Sequence, residues 1–328
     1  MTSTVLRTLC GVLCSAIVAA ALPAGAAIPG VEFEADVPLV IADGMPCVGA
    51  RIGGGPVLLF GIDTGDVTSV VDAKVAKSAG LVQTPIPPPT PPGYVMAAVP
   101  ELHIGGLTLE HRNELVLDFA TNQMPPTLAG TLAYTAFKDR ILQIDYATHR
   151  VRISRVLTAP VEIPGPADHF SLITFGAKGP PIVVAQGFEI DGKPVTAQVD
   201  SMYTGSLLIY GASIDKLGMG DAAKAAKGEF FPYTDGGVTM KGTAAGVESF
   251  HGLALGVGEA TVYFPTPGVH EPDGLFDATV GLKLLKDAVL TLDFHDGTIS
   301  VQRPAPQASA LPSSDMANDQ RTWTHRAW

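Results

Sequence analysis

Apolar and polar residues alternate along much of the chain with the two-residue period of half-buried β-strands. Residues 138–153, KDRILQIDYATHRVRI, alternate, turn at ATHR and alternate again, which predicts a β-hairpin. The pattern returns without a gap at residues 286–301, KDAVLTLDFHDGTISV, with Val or Leu for Ile and Phe for Tyr. Because side-chain volume and face are kept, we expect two versions of one structural unit.

The residues before each copy follow a common order of elements. Residues 57–81 and 193–219 each give an apolar strand, a turn at an Asp, a second apolar run and a short helix ending near a Gly. Strand pairs with a Gly turn follow at 102–109 and 253–264. Next we expect matching elements in which a small or apolar pair precedes a Gly, at Leu128-Ala129-Gly130 and Thr279-Val280-Gly281.

Length and composition agree with two β lobes. The chain has 328 residues, 46% of them hydrophobic, which is enough for about two packed domains. Its 36 Gly and 27 Pro, with no long helical periodicity, favour a turn-rich, mostly β architecture. The predicted division is an N-terminal lobe at 27–154, an extended Pro-containing linker at 155–167, a C-terminal lobe at 168–303 and a mobile tail at 304–328.

The first 26 residues are predicted to be a signal peptide. Arg7 precedes an apolar run that ends in Pro23 and the small residues Ala24-Gly25-Ala26. The alternative is a single membrane anchor, since the run approaches spanning length. Cleavage would remove Cys10 and Cys14 and leave Cys47 without an intramolecular disulfide partner. We therefore expect an exported protein, in the periplasm or the medium, whose stability comes from its core.

Charge and motifs exclude several functions. A formal net charge of −11 disfavours nucleic acid and anionic lipid surfaces as partners. The histidines lack a metal-ligand spacing, and His103 and His111 are expected at the surface or in the core. The chain has no G-x-S-x-G and no glycine-rich phosphate loop, so we expect no cofactor and no metal.

An Asp on a turn after an apolar strand occurs once in each predicted lobe. Asp63-Thr64-Gly65 follows Leu58, Leu59 and Phe60, and Asp200 follows the strand of the second lobe. Apolar flanks on both sides would bury these turns. A buried carboxylate requires several hydrogen bonds or a shared proton, and simple loops seldom supply either.

These residues carry a family resemblance. FGIDTGDVTSVV, the element at Gly130 and LQIDYATHRVRI in the first half, with VDSMYTGSLL, ATVGLKLL and LTLDFHDGTISV in the second, resemble a two-lobed aspartic peptidase of the pepsin and retropepsin superfamily with tandem retropepsin-like lobes. The resemblance covers roughly residues 31–303. It implies two pseudo-symmetric β lobes with short helices and a cleft between them, and an Asp from each lobe sharing a proton to activate water for peptide hydrolysis.

By this resemblance, Asp63 and Asp200 form the catalytic dyad. Thr64 and Ser201 would supply hydroxyls that brace the two turns, and Gly65 would let the backbone approach its carboxylate closely. The implied enzyme is a monomeric, metal-independent endopeptidase that acts on peptide or unfolded protein below neutral pH.

The second turn departs from the pattern, because Met202 stands where the family has a Gly. We expect its Cβ to penalise positive φ and its thioether to lie beside the Asp200 carboxylate, tilting it or crowding the water. Three alternatives follow: an active enzyme with an altered turn, a peptidase whose catalysis has decayed, and a peptide- or protein-binding module on the same frame.

Two segments are predicted to cover the cleft as flaps. Residues 82–101 contain Tyr94 and a run of prolines, which we expect to prevent regular hairpin pairing and to give a stiff, extended cover. Residues 227–246 contain Tyr233 and the turn Asp235-Gly236-Gly237. The alternative for both tyrosines is packing onto their own lobe. Asp145 and Asp293 in the recurring hairpins are predicted to be strand-end residues without a catalytic role.

Overall fold

The computed structural model describes residues 28–87, 94–122, 124–174, 181–226, 233–235, 238–240, 242–247, 250–252, 260–265 and 274–303. The predicted signal peptide and C-terminal tail lie outside these ranges. Among the helices of the described residues, none has the length and apolar character needed to cross a membrane.

Strands dominate the described chain. Those of the first half are β1 (Phe33–Pro38), β2 (Val40–Ala42), β3 (Met45–Ile52), β4 (Leu58–Ile62), β5 (Val70–Asp72), β6 (Val82–Pro85), β7 (Val95–Ile104), β8 (Leu107–Leu117), β9 (Leu128–Leu132), β10 (Ile141–Asp145) and β11 (Arg150–Ser154). Those of the second half are β12 (Ala167–Thr174), β13 (Pro181–Ile190), β14 (Lys193–Val199), β15 (Leu207–Ile209), β16 (Tyr233–Asp235), β17 (Val238–Met240), β18 (Gly242–Val247), β19 (Phe250–Gly252), β20 (Ala260–Pro265), β21 (Ala278–Val280), β22 (Val289–Asp293) and β23 (Thr298–Gln302).

The helices are short. They are α1 (Ala73–Ser78), α2 (Tyr134–Phe137), α3 (Gly211–Leu217), α4 (Gly220–Ala225) and α5 (Leu282–Leu285). Helix α1 begins at Asp72, whose Oδ1 accepts hydrogen bonds from the N–H groups of Lys74 and Val75. Helix α3 ends at Gly218, which has a left-handed backbone with φ of +67°. Local sequence signals therefore account for the start of α1 and the end of α3.

The two lobes repeat one strand arrangement. In the first lobe the sheet order is β2-β3-β4-β9-β5-β8-β7-β6, with β4 parallel to β9 and β5 parallel to β8. In the second lobe the corresponding order is β13-β14-β21-β15-β20-β18, with β14 parallel to β21 and β15 parallel to β20. The prediction of a mostly β fold with two similar lobes and short helices is confirmed.

The recurring hairpins join the two lobes edge to edge. Strand β10 pairs antiparallel with β22, so the hairpins β10–β11 and β22–β23 form one continuous sheet, which β1 and β12 extend at its two edges. Gln143 pairs with Thr291, and these residues hold the same position in the two copies of the repeat. The Gln143 side-chain amide donates to Thr291 Oγ1 at 3.2 Å. The internal symmetry axis therefore passes between these two residues.

One predicted correspondence between the lobes is wrong by three residues. The N–H of Asp63 donates to the carbonyl of Leu132, and the N–H of Asp200 donates to the carbonyl of Val280. Thr131-Leu132-Ala133, and not Leu128-Ala129-Gly130, is thus the partner of Thr279-Val280-Gly281. Ala133 and Gly281 both precede a short helix. The first lobe accepts Ala133 at this position, whereas a Cβ at Gly281 would collide with the Tyr203 ring, so only the second lobe requires a glycine.

The first predicted flap also pairs more regularly than expected. Strand β6 runs antiparallel to β7 from Val82 opposite Ala98 to Pro85 opposite Val95, and Ile86 N–H donates to the Tyr94 carbonyl at 3.0 Å. The proline run begins after most of this ladder has formed, so it does not prevent pairing at the base of the segment. Residues 88–93 lie outside the described ranges.

Candidate active site

Asp63 lies at the carboxyl end of β4, where the turn that follows holds its side chain. Its Oδ1 accepts a hydrogen bond from Gly65 N–H at 3.1 Å, and the N–H of Asp66 also donates to its carboxyl group. The Asp63 backbone is fixed by its hydrogen bond to Leu132 at 2.8 Å. Asp63 is half-buried. Strand pairing and the turn together fix the position and orientation of this carboxyl group.

Asp200 occupies the equivalent position at the end of β14. Its Oδ1 accepts hydrogen bonds from the N–H groups of Met202 at 2.8 Å and Tyr203 at 3.0 Å. The Asp200 N–H donates to Val280 at 2.9 Å. In both lobes, therefore, the Asp side chain is held by the N–H groups two and three residues further along.

Thr64 and Ser201 brace the two turns against each other. Ser201 N–H donates to Thr64 Oγ1 at 3.0 Å, and Thr64 N–H donates to Ser201 Oγ at 3.1 Å. The Thr64 hydroxyl in turn donates to the Val199 carbonyl at 2.7 Å, and the Ser201 hydroxyl to the Ile62 carbonyl at 2.5 Å. Thr64 and Ser201 are buried. The four reciprocal bonds hold the two Asp-bearing strand ends together across the lobe interface.

Gly65 touches both sides of the site. Its N–H donates to Asp63 Oδ1, so its backbone lies close to its own carboxylate, as the sequence predicts. Its Cα faces the other lobe: an ideal Cβ at this position would lie 2.5 Å from Asp200 Cγ. The Gly65 carbonyl accepts a short hydrogen bond from the Gln198 amide, whose Oε1 accepts from Thr279 at 3.2 Å. The second lobe thus clamps the first turn from two directions.

The electrostatics of the site favour protonation. Burial raises the pKa of Asp63 well above its ordinary value, and the charges of Asp200 and Asp66 raise it further, while the turn N–H groups lower it. Burial also raises the pKa of Asp200 to about 6, against the lowering effect of the Met202 and Tyr203 N–H groups. Two adjacent carboxyl groups in such a setting retain a proton at mildly acid pH and titrate as a pair.

Met202 does not act on Asp200 in the way the sequence suggested. It is not among the described residues with positive φ, and its N–H holds the Asp200 carboxyl group. Its thioether lies against Gly61 of β4, 2.9 Å from the position of an ideal Cβ there. The expected backbone penalty is therefore wrong, and the thioether packs against a strand of the first lobe. The side chain finds room in the first lobe, because Gly61 leaves a space.

Asp66 is a residue of the site that the sequence reasoning did not single out. Its side chain is exposed, and Oδ1 accepts a hydrogen bond from Val67 N–H at 2.6 Å. Its charge raises the pKa of both Asp63 and Asp200. The signal was an acidic residue directly after Asp63-Thr64-Gly65, since a third carboxylate so close must affect a pair that shares a proton.

The predicted flap tyrosines differ in how far they can be placed. Tyr94 lies half-buried just before β7, where its carbonyl accepts from Ile86. Tyr233 begins β16, which pairs with β17, and its side chain lies outside the described part of the structure. Contact of either ring with the dyad stays a prediction.

Asp145 and Asp293 occupy the ends of β10 and β22. Asp145 Oδ1 accepts a hydrogen bond from Thr148 N–H, and Asp293 Oδ1 accepts hydrogen bonds from the N–H groups of His295 and Asp296, which closes the turn of each recurring hairpin.

Cys47 is buried in β3, and burial raises the pKa of its thiol to about 11. The described residues contain no group of three or more His, Cys, Asp or Glu side chains that could hold a metal ion.

Comparisons with known proteins give likeness of structure alone. No protein-family model matches the chain, and no curated protein matches it in sequence. The crystal structure of edgp aligns with a TM-score of 0.48 and 10% identity over 84% of this chain and 96% of that chain. The crystal structure of Basic 7S globulin from soybean aligns with a TM-score of 0.45 and 10% identity, over 83% of this chain and 95% of that chain.

Proposed function

We propose that the protein is an exported aspartic endopeptidase in which Asp63 and Asp200 share a proton and activate water for hydrolysis of peptide bonds. The observation that carries the proposal is the reciprocal bracing of Thr64 and Ser201, which holds an Asp from each lobe at one interface. Each carboxyl group is half-buried and has a raised pKa, as the shared-proton chemistry requires.

The reaction follows from one proton held by the pair. The ionised carboxylate takes a proton from water, and the hydroxyl oxygen bonds to the carbonyl carbon of the peptide. The protonated carboxyl group gives its proton to the carbonyl oxygen, which leaves a tetrahedral diol. The carboxyl group that took the proton of water then donates it to the amide nitrogen, and the C–N bond breaks. One hydroxyl of the diol returns its proton to the other carboxylate, which releases acid and amine and restores the single shared proton. No metal or cofactor takes part in this sequence.

The substrate class and the compartment follow as further parts of the proposal. The protein would act as a monomer, because the second lobe already supplies the partner Asp that a single retropepsin-like lobe would need from another copy. Peptide or unfolded protein would lie across the interface of the lobes, and the predicted signal peptide would place the enzyme in the periplasm or the medium. The net charge of −11 argues against nucleic acid as a partner.

The second candidate is a peptide- or protein-binding module on the same frame. It is favoured by the second turn, in which the half-buried Met202 stands at the glycine position. In that case the interface of the lobes would hold a peptide without cleaving it. Both candidate functions use the interface of the lobes to bind a peptide, and they differ in whether the bound peptide is cleaved.

Cleavage of an unfolded protein mixture between pH 3 and 7 distinguishes the two candidates. We expect the mature protein to cleave in the acid part of this range, and Asp63→Asn and Asp200→Asn each to lower the rate by about a thousandfold. Asp145→Asn is the matched control, since it changes a buried Asp of the hairpin that closes the first lobe. Peptide binding without cleavage by the folded wild-type protein would replace this proposal with the binding module.

A further inference from the structure

The turn that follows each candidate catalytic Asp inserts an apolar side chain into the other lobe. Val67, four residues after Asp63, is buried in a cluster of second-lobe side chains that includes Tyr203 and Leu208. Met202, two residues after Asp200, packs against a cluster of first-lobe side chains that includes Cys47 and Leu128. The two insertions cross in opposite directions, so neither turn can shift without disturbing the other lobe.

The contact of Met202 with the first lobe is closely fitted. An ideal Cβ at Gly61 would lie 2.9 Å from Met202 Sδ and 3.2 Å from its Cε. The first distance is shorter than non-bonded atoms adopt and the second is tighter than most contacts, so a Cβ at position 61 would require the Met202 thioether to move. Gly61 lies in β4, two residues before Asp63. The thioether therefore rests on the strand that delivers the first carboxyl group.

Met202 also holds the second carboxyl group. Its N–H donates to Asp200 Oδ1 at 2.8 Å. One residue thus joins the strand of Asp63, through its side chain, to the carboxyl group of Asp200, through its backbone. Gly65, the residue at the same position of the first turn, has no side chain that could make a matching contact, and its Cα lies directly against Asp200.

We propose that Met202 is a positioning residue for the pair, whose thioether, anchored on Gly61, fixes the Asp200 carboxyl group relative to Asp63. The inference rests on the proposed peptidase activity. It also reverses the expectation that a methionine at this position disables the turn. Met202 fills, from the second lobe, a space that the glycine of β4 leaves in the first. The two residues form a complementary pair.

The inference predicts how kinetic constants change. Met202→Gly removes the anchor while installing the residue type of the first turn, and we expect kcat to fall about a hundredfold with little change in KM, because the bound peptide is retained but the carboxyl groups are misaligned. The pH profile should change as well, since Asp200 moves relative to the charges of Asp63 and Asp66. Met202→Leu, which keeps an apolar side chain of similar volume, should restore most of the rate.

A cycle of thermal unfolding experiments tests the contact without any activity. Gly61→Ala places a methyl group in the space of the thioether, so it should lower the melting temperature in the wild-type background. It should be tolerated in the Met202→Gly background, where the space is free. Met219→Gly is the matched control: it removes a buried methionine of the second lobe, and its effect should add to that of Gly61→Ala.

The outcomes separate this inference from the proposed function. Additive effects of Gly61→Ala and Met202→Gly on the melting temperature would overturn the anchor, whether or not the protein cleaves peptides. Higher activity of Met202→Gly than of the wild type would overturn it too. If the effects of Gly61→Ala and Met202→Gly on the melting temperature are not additive but the wild-type protein does not cleave peptides, the contact between Met202 and Gly61 stands. The peptidase proposal is then rejected.

Discussion

Gly65 lies directly against the carboxyl group of Asp200 in the other lobe. An ideal Cβ at Gly65 would be 2.5 Å from Asp200 Cγ and 2.8 Å from its Oδ2, which are distances that non-bonded atoms do not adopt. The same glycine donates its N–H to Asp63 Oδ1 at 3.1 Å. The close approach of the two carboxyl groups therefore depends on the absence of a side chain at this position.

Gly65→Ala is expected to inactivate the protein without unfolding it. The added methyl group must displace either the first turn or Asp200, and a shift of about 1 Å in a reacting group costs about a hundredfold in rate. The measurement is kcat on a peptide substrate, with circular dichroism to show that the fold is kept. Gly54→Ala is the matched control, because a Cβ there would meet no atom within 4 Å. Equal activity of the two variants would contradict the prediction.

The fold and the site were predictable to different degrees from the sequence. The recurring hairpin predicted two lobes of one design, because a β-strand pattern with a fixed period reports burial directly, and the pairing of Gln143 with Thr291 shows why the hairpin recurs. The two Asp turns were predictable from their apolar flanks. The pairing of β6 with β7 was not, because the proline run predicts a broken ladder, whereas the prolines lie mostly beyond the paired residues.

The orientation of Met202 could not be predicted, for a physical reason. A residue's local preferences concern its own backbone, whereas the Met202 side chain is placed by a space above Gly61, which is distant in sequence. The influence of Asp66 on both carboxyl groups likewise depends on the lobe interface that brings Asp200 beside the first turn. The chemistry of this site depends on contacts between residues of different lobes, and local sequence patterns do not predict contacts between residues so far apart in the chain.

The stability of the protein should fall as the pH rises through the titration of the pair. The pKa of Asp200 is raised to about 6 in the folded protein, above the value of about 3.9 for an unfolded Asp. A raised folded pKa contributes stability that is fully present below the unfolded pKa and is lost as pH rises through the folded pKa. Asp200→Asn removes this titration. Between pH 4 and pH 7 the free energy of unfolding of the wild type should therefore fall by on the order of 2 kcal/mol more than that of Asp200→Asn.

Asp277→Asn provides a control of opposite sign. Burial raises the pKa of Asp277, but hydrogen bonds from Lys216, Thr196 and Ser213 outweigh it, so the pKa is lowered overall. A lowered folded pKa contributes stability above the unfolded pKa and loses it as pH falls, so this variant should be destabilised most at neutral pH. Chemical denaturation of each variant from pH 4 to 7 measures both effects. Equal pH dependence in Asp200→Asn and the wild type would contradict the assignment.

Asp66→Asn should move the pH profile of activity toward acid. The charge of Asp66 raises the pKa of both Asp63 and Asp200, so its removal lowers both and the pair loses its shared proton at lower pH. The alkaline limb of kcat/KM against pH reports this directly. Asp221→Asn, which removes one charge from the exposed surface of α4, should leave the limb in place. An unchanged limb in Asp66→Asn would show that Asp66 has no influence on the pair.

Ser201→Ala should weaken the contact between the lobes as well as the reaction. The hydroxyl accepts from Thr64 N–H and donates to the Ile62 carbonyl, and both of these groups are buried, so its removal leaves a donor and an acceptor without their partner. Each such group costs about 1–3 kcal/mol, and we expect the free energy of unfolding to fall by about 2–6 kcal/mol.

Two further variants separate the bracing hydroxyl from a general loss of packing. Ser201→Thr keeps the hydroxyl and should retain most of the stability, because the second turn then carries the residue that stands in the first. Ser78→Ala removes an exposed hydroxyl that donates only to Val75 within α1, and should change the free energy of unfolding by less than about 0.5 kcal/mol. If Ser201→Ala were as mild as Ser78→Ala, the reciprocal bonds between Thr64 and Ser201 would not hold the two carboxyl groups together, and the peptidase proposal would lose the observation that carries it.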